Sequence, residues 1–115
     1  MKIMIVDDNA QMRETIKSIL AAEDNDFHQC SSGREAIDSY KQYRPDWVLM
    51  DICMEKLDGF RTTQEIKTID SEAKVVIVTN YDDAEFRAEA KRLGTNGYVL
   101  KENLIKLRGI LKTTY

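Results

Sequence analysis

Apolar residues gather in five short runs, separated by stretches in which they recur every three or four positions. The runs are Lys2 to Val6, Phe27 to Cys30, Trp47 to Met50, Lys74 to Val78 and Tyr98 to Leu100, rich in β-branched side chains. This pattern predicts five strands. Trp47 to Met50 and Val75 to Val78 are apolar without alternation, as in strands covered by helices on both faces. The second run is weaker and more polar, which places it at a sheet edge.

Between the runs the spacing turns helical. Met12, Ile16, Ile19 and Leu20 fall on one face behind Asn9, a suitable cap. Ala36, Tyr40 and Tyr43 form a stripe that begins after Gly33 and ends before Pro45, since the residue preceding a proline is pushed out of the helical region. Phe86, Ala90 and Leu93 mark a helix closed by Gly94, and Leu104, Leu107 and Leu111 a short last one. The stretch from Phe60 to Thr68 has the weakest pattern, because Thr62, Thr63 and Thr68 dilute it; a crossover between parallel strands nevertheless requires an element there. Strict alternation of five strands and five helices predicts an α/β fold: a flavodoxin-like doubly wound parallel sheet of order 2-1-3-4-5. At 115 residues, the chain (1–115) suits one domain.

Composition narrows the function classes. Seventeen basic against twenty acidic side chains give a net charge of -3, which disfavours binding a polyanion by counterion release, so no direct nucleic-acid contact is expected. The N-terminal apolar run is too short for a signal-peptide core, and no run approaches a membrane span; a cytoplasmic location is the expectation. Cys30 and Cys53 are then reduced thiols, His28 reads as a strand residue, and the three together do not make a zinc site.

Burial explains Ile3 to Val6 but not the two acids that follow. In the predicted sheet, Asp7 and Asp8 follow the first strand, Asp51 the third, Thr79 the fourth and Lys101 the fifth. Ligands of such sheets bind at this edge. Singly, Asp8 could cap a helix, Asp51 open a turn, Thr79 end a strand and Lys101 be solvated. Together they predict a site. Unit charges about 5 Å apart repel by roughly 3 kcal/mol at an effective dielectric near 20, so three clustered carboxylates call for a counter-cation. All-oxygen donors favour a hard ion, Mg²⁺ (or Mn²⁺). Asp51 could then act as a nucleophile toward phosphorus, with Lys101 as a second positive charge and the Thr79 hydroxyl donating to a phosphoryl oxygen.

The sequence resembles the receiver domains of two-component response regulators from Lys2 to about Leu111. "VDDN" resembles the family's acidic pair, "VLMDICMEKLDG" its phosphoacceptor turn, "VIVTNYDD" its switch threonine and "GTNGYVLKE" its switch aromatic and lysine. The resemblance implies that Asp51 accepts phosphate from a histidine kinase, that Asp8, Asp51 and the Cys53 carbonyl bind Mg²⁺, and that Asp7 does so largely through water. It implies that Thr79 and Tyr98 move as a pair, that Lys101 pairs with the phosphoryl group, and that the fourth helix, fifth strand and fifth helix carry the altered surface. Catalysis would extend at most to the protein's own phosphorylation and dephosphorylation.

Some positions depart from the family's pattern. Glu102 and Glu55 stand where prolines are usual, which removes the expectation of a cis peptide after Lys101. Asn80 stands where a smaller residue is common, and Cys53 and Tyr81 flank the same opening, so an atypical phosphate lifetime is expected. "YDDAEFRAEAKRLGTNGYVLKENL" is similar to receivers that precede a helix-turn-helix output domain, yet this chain stops at Tyr115, as a stand-alone or an excised receiver. Output would then pass through another protein, a separate output domain or dimerisation on the switch face. The main alternative is a pseudo-receiver, an interaction module that keeps the fold but is not controlled by phosphate. A Mg²⁺-dependent phosphohydrolase lacks a cap and a second acid-base group here, and a flavin phosphate would be repelled by Asp7 and Asp8.

Overall fold

A computed structural model describes residues 1–21, 24–54 and 58–112. Its core is a five-stranded parallel sheet made of β1 (Lys2–Val6), β2 (Asp26–Cys30), β3 (Trp47–Met50), β4 (Val75–Thr79) and β5 (Gly97–Leu100). The order is β2-β1-β3-β4-β5. β3 and β4 are buried along their whole length, which explains their unbroken apolar runs, while the more polar β2 lies at the edge. Thr79, expected just beyond β4, is instead its last residue and pairs with Leu100.

Each strand divides its side chains between two cores, as a pleated chain must. Met4, Val6, Val48, Met50, Val75 and Ile77 point to one face, with Ala36, Tyr40, Ile66 and Ala90 packed over them. Ile3, Ile5, Trp47, Leu49, Val76 and Val78 point to the other, covered by Ile16, Leu20, Leu107 and Leu111. The helices supplying these lids are α1 (Ala10–Leu20), α2 (Gly33–Tyr43), α3 (Gly59–Ile69), α4 (Ala84–Arg92) and α5 (Lys106–Leu111), the last preceded by a 3-10 turn at Lys101–Asn103.

The ends of the helices follow from local chemistry. Asn9 accepts the Met12 N–H at 2.9 Å, Ser32 that of Glu35 at 3.1 Å and Asp58 that of Arg61 at 2.8 Å, while Asp83 caps Glu85 and Phe86. Gly94 adopts a φ of 77°, and the N–H groups of Gly94 and Thr95 return to the Lys91 and Ala90 carbonyls, closing α4 as its position in the sequence predicted. Among the described residues no peptide bond is cis and no helix is long and apolar enough to cross a membrane. Both cysteines are free thiols, and His28 is a β2 residue whose ring lies 5.0 Å from that of Tyr43.

α3 corrects one expectation. Thr62 and Thr63 do not dilute its inner face but form it, with Gly59 and Ile66. The Thr62 hydroxyl donates to the Asp58 carbonyl at 2.9 Å, so that threonine can be buried without an unpaired polar group. Thr63 Oγ1 is buried with no hydrogen-bond partner among the described residues.

At its first turn α3 meets the end of β3. The Gly59 N–H donates to the Ile52 carbonyl at 3.1 Å, and a Cβ at Gly59 would lie 2.1 Å from the Asp51 carbonyl oxygen and 2.7 Å from the Ile52 Cα. Only glycine allows the helix this close to the strand end. Gly59→Ala is therefore expected to lower unfolding stability by at least about 2 kcal/mol in urea titration. Thr63→Val, which removes an unpaired buried hydroxyl, should instead raise it by about 1 kcal/mol in the same measurement.

Candidate functional site

The carboxyl edge of the sheet collects the side chains that burial alone leaves unexplained. β1 and β3 are neighbours, and the Asp51 N–H extends their ladder to the Val6 carbonyl at 2.9 Å. This fixes Asp51 beside Asp7. Asp7 is 1% exposed and Asp51 5%, whereas Asp8 faces solvent. One carboxylate oxygen from each of the three lies within 4.8 Å of the others. Hard oxygen donors of that number and spacing suit Mg²⁺ or Mn²⁺.

Lys101 closes the site from the far side. Its Nζ lies 2.8 Å from Asp7 Oδ2 and 3.6 Å from Asp51 Oδ1. β5 and β1 are three strand spacings apart, about 14 Å, so the chain must turn inward at Lys101 for its amine to arrive. The other Asp7 oxygen, Oδ1, accepts the Asn9 N–H at 2.8 Å. Burial alone would lower the pKa of Lys101, but the hydrogen bond to Asp7 and the charges of Asp51 and Asp7 outweigh it and hold the amine above its ordinary value. Asp51 moves the other way from most carboxylates. Burial, and next the Asp7 charge, push it up to about 6 against the opposing pull of Lys101 and the Cys53 N–H.

Thr79, fully buried at the end of β4, is joined to Tyr98 through a single residue. Its Oγ1 accepts the Tyr81 N–H at 3.2 Å, and the Tyr81 carbonyl accepts the Tyr98 O–H at 2.5 Å. Burial raises the Tyr98 phenol, so it stays protonated and able to donate. The Arg87 guanidinium sits 4.5 Å from the centre of the Tyr98 ring and donates to Asp82 at 2.9 Å. Tyr81 is 51% exposed, with its ring edge-on to Phe86, and Phe86 in turn meets Phe60. Burial and the Asp51 charge push the pKa of the Cys53 thiol up. Cys53 and Asn80 are exposed beside the opening, and Glu102 is exposed in the 3-10 turn. Glu55 lies outside the described residues.

Asp7, Asp8 and Asp51 therefore gather at one edge of the sheet, with Lys101 against Asp7 and Asp51 and with Thr79 at the end of the next strand. The family model of the response regulator receiver domain matches residues 3–112. The chain belongs to this family. Its receiver sequence is 36% identical over 100 residues to the chemotaxis protein CheY of Halobacterium salinarum, a match covering 87% of this chain and 83% of that protein. It is 33% identical over 100 residues to the regulatory protein AtoC of Escherichia coli, where 87% of this chain corresponds to 22% of that longer protein. Its fold superimposes with a TM-score of 0.91 on a chain of the CheX–CheY complex with BeF3 and Mg from Borrelia burgdorferi, at 22% identity and covering 97% of this chain and 87% of that one. Receivers of this family act in two-component signal transduction, with histidine kinases and with output or downstream proteins as partners, and typically bind Mg²⁺ at an acidic cluster like this one.

Some contacts of this receiver were not legible in its sequence. Arg87 reads as a solvated helix residue until β5 brings Tyr98 beneath it, and Tyr81 gives no sign that its backbone, rather than its ring, links Thr79 to Tyr98. Gly59 belongs to the "LDG" signature, but its reason, the approach to the Asp51 carbonyl, is tertiary.

An acid whose pKa rises on folding opposes folding once ionised. For Asp51 that penalty is absent below its unfolded value near 4, grows through about 6 and is complete above. In metal-free buffer, Asp51→Asn is therefore expected to be more stable than the parent by on the order of 2 kcal/mol at pH 7.5, with the difference vanishing toward pH 4. Paired thermal melts across that range measure it.

Proposed function

We propose that the protein is a phosphorylation-dependent signalling switch of a two-component system, in which Asp51 accepts a phosphoryl group from a histidine kinase. The observation that carries this reading is the convergence of Lys101 on Asp7 and Asp51 beside Asp8, at the sheet edge where ligands of this fold bind. An Asp51 oxygen attacks phosphorus, the phosphorus–nitrogen bond of the phosphohistidine breaks, and the electron pair remains on the imidazole nitrogen. Asp8, Asp51 and the Cys53 carbonyl would hold Mg²⁺ (or Mn²⁺), Asp7 largely through water, and the bound ion supplies positive charge to the oxygens of the transferring group. Lys101 adds a fixed charge to those oxygens. Asp7 keeps the amine aimed inward meanwhile.

Relay follows from the hydrogen-bond order. Thr79 Oγ1 already accepts from the Tyr81 N–H, which leaves its own hydrogen for a phosphoryl oxygen. A shift of Thr79 toward phosphate then pulls on Tyr81, and through its carbonyl on Tyr98. The surface of α4, β5 and α5 is the one that changes, and a downstream protein, a separate output domain or a second receiver reads it. Cys53, Asn80 and Tyr81, around the opening to Asp51, tune how fast water removes the phosphate.

Incubation with acetyl phosphate and Mg²⁺ is expected to add the mass of one phosphoryl group to the parent and none to Asp51→Asn, by intact mass spectrometry. A parent that gains no mass would instead be a pseudo-receiver. Lys101→Ala should lower the phosphorylation rate by at least about tenfold, since a charge-assisted contact of 1.4 kcal/mol or more is lost.

A further inference from the structure

The Asp7 carbonyl has an unusual position. The ladder of β1 ends around it: the Val6 carbonyl accepts from Asp51, and the Asp7 N–H donates to Cys30 at 3.1 Å. The carbonyl of Asp7, in a residue only 1% exposed, has no backbone partner among the described residues. It is met by a side chain. Arg13, one turn into α1, donates Nη1 to it at 2.7 Å.

The same guanidinium also reaches the edge strand. Arg13 Nε donates to Gln29 Oε1 at 2.9 Å, and the Gln29 amide donates on to Glu14 Oε2 at 2.6 Å. Arg13 is thus clamped at both ends: by the loop that carries Asp7 and Asp8, and by a β2 residue whose own amide is pinned to α1. No backbone hydrogen bond of the Asp7 carbonyl could do this, because the chain has already left the sheet.

We infer that Arg13 is a positioning residue of the phosphoryl-transfer site, a brace that holds the β1–α1 loop so that Asp7 and Asp8 are presented together with Asp51. This inference rests on the reading of the cluster as the Mg²⁺ and phosphoryl site, and extends that site to α1 and β2. Without Arg13 the Asp7 carbonyl is a buried acceptor with no partner, and the loop moves to find water for it. Asn9 and Lys101 still hold the Asp7 side chain, so the fold survives while the spacing between Asp8 and Asp51 does not.

The test titrates Mg²⁺ alone into the full chain, followed by calorimetry and by the Asp8 amide in NMR spectra, for the parent, Arg13→Ala, Arg13→Lys and Gln29→Ala. Groups that orient metal ligands from behind typically change affinity 10–100-fold when removed, and at least tenfold weaker Mg²⁺ binding is expected for Arg13→Ala. Arg13→Lys should recover part of that loss, since an ammonium can reach the carbonyl but not carbonyl and Gln29 at once. Gln29→Ala should fall between parent and Arg13→Ala. If Arg13→Lys and Gln29→Ala both bind Mg²⁺ within twofold of the parent, the brace is overturned, whatever their melting temperatures and even if Arg13→Ala fails to fold. A parent that shows no Mg²⁺ binding overturns it as well. Acetyl phosphate on the same samples separates the two readings: a parent that binds Mg²⁺ but gains no phosphoryl mass fails as a switch while the affinity series still decides the brace, and a phosphorylated parent with equal affinities throughout keeps the switch and loses the brace.

Discussion

Two carboxylates in a nearly dry sheet edge, with a third at their rim, are stable only because an amine has been brought to them. At close range such charges repel by several kcal/mol in the protein interior, a large fraction of the stability of a domain this size. The Lys101 ammonium, 2.8 Å from Asp7 and 3.6 Å from Asp51, opposes that repulsion, while burial first and the Asp7 charge second still raise the pKa of Asp51. Much of the architecture can be read as the means of delivering this contact. The order β2-β1-β3-β4-β5 puts the two aspartate-bearing strands side by side, and the turn after β5 carries the lysine back across β4 and β3.

The same constraint explains why rigid and adjustable parts are separated. Asp7 and Asp51 extend from strands buried on both faces, and Gly59 allows α3 to sit directly on the backbone of Asp51 and Ile52. Asp51 is thereby held by close-packed structure. Thr79 joins this close-packed part to side chains nearer the surface. Beyond it lie the exposed Tyr81, the half-buried Tyr98 and the surface pair Arg87 and Asp82, joined by hydrogen bonds and a ring contact each worth only on the order of 1 kcal/mol. Contacts of that size can be exchanged without unfolding anything.

Arg13 shows how a helix can serve a neighbouring loop. Its guanidinium replaces the ladder partner that the Asp7 carbonyl lost when the chain left the sheet. Hydrogen bonds through Arg13 and Gln29 thus join the Asp7 backbone to the edge strand β2, which supplies no side chain to the acidic cluster among the described residues.

Period and composition along the chain carried the fold a long way. Unbroken apolar runs marked β3 and β4 as central strands, the polar run marked β2 as an edge, and Asn9 and Gly94 marked helix ends, because strand burial and helix capping are local consequences of residue type. The sequence also brought Asp7, Asp8, Asp51, Thr79 and Lys101 to one edge of the sheet, since strand ends in an alternating α/β chain share that edge. Tertiary structure alone decided that Thr62 and Thr63 face the core, that Thr79 lies within its strand, that the Tyr81 backbone joins Thr79 to Tyr98, and that Arg13 and Arg87 clamp Asp7 and Tyr98. Each of these depends on how different elements meet, and contacts between such elements have no periodicity to read. They exist only once packing has fixed the distances.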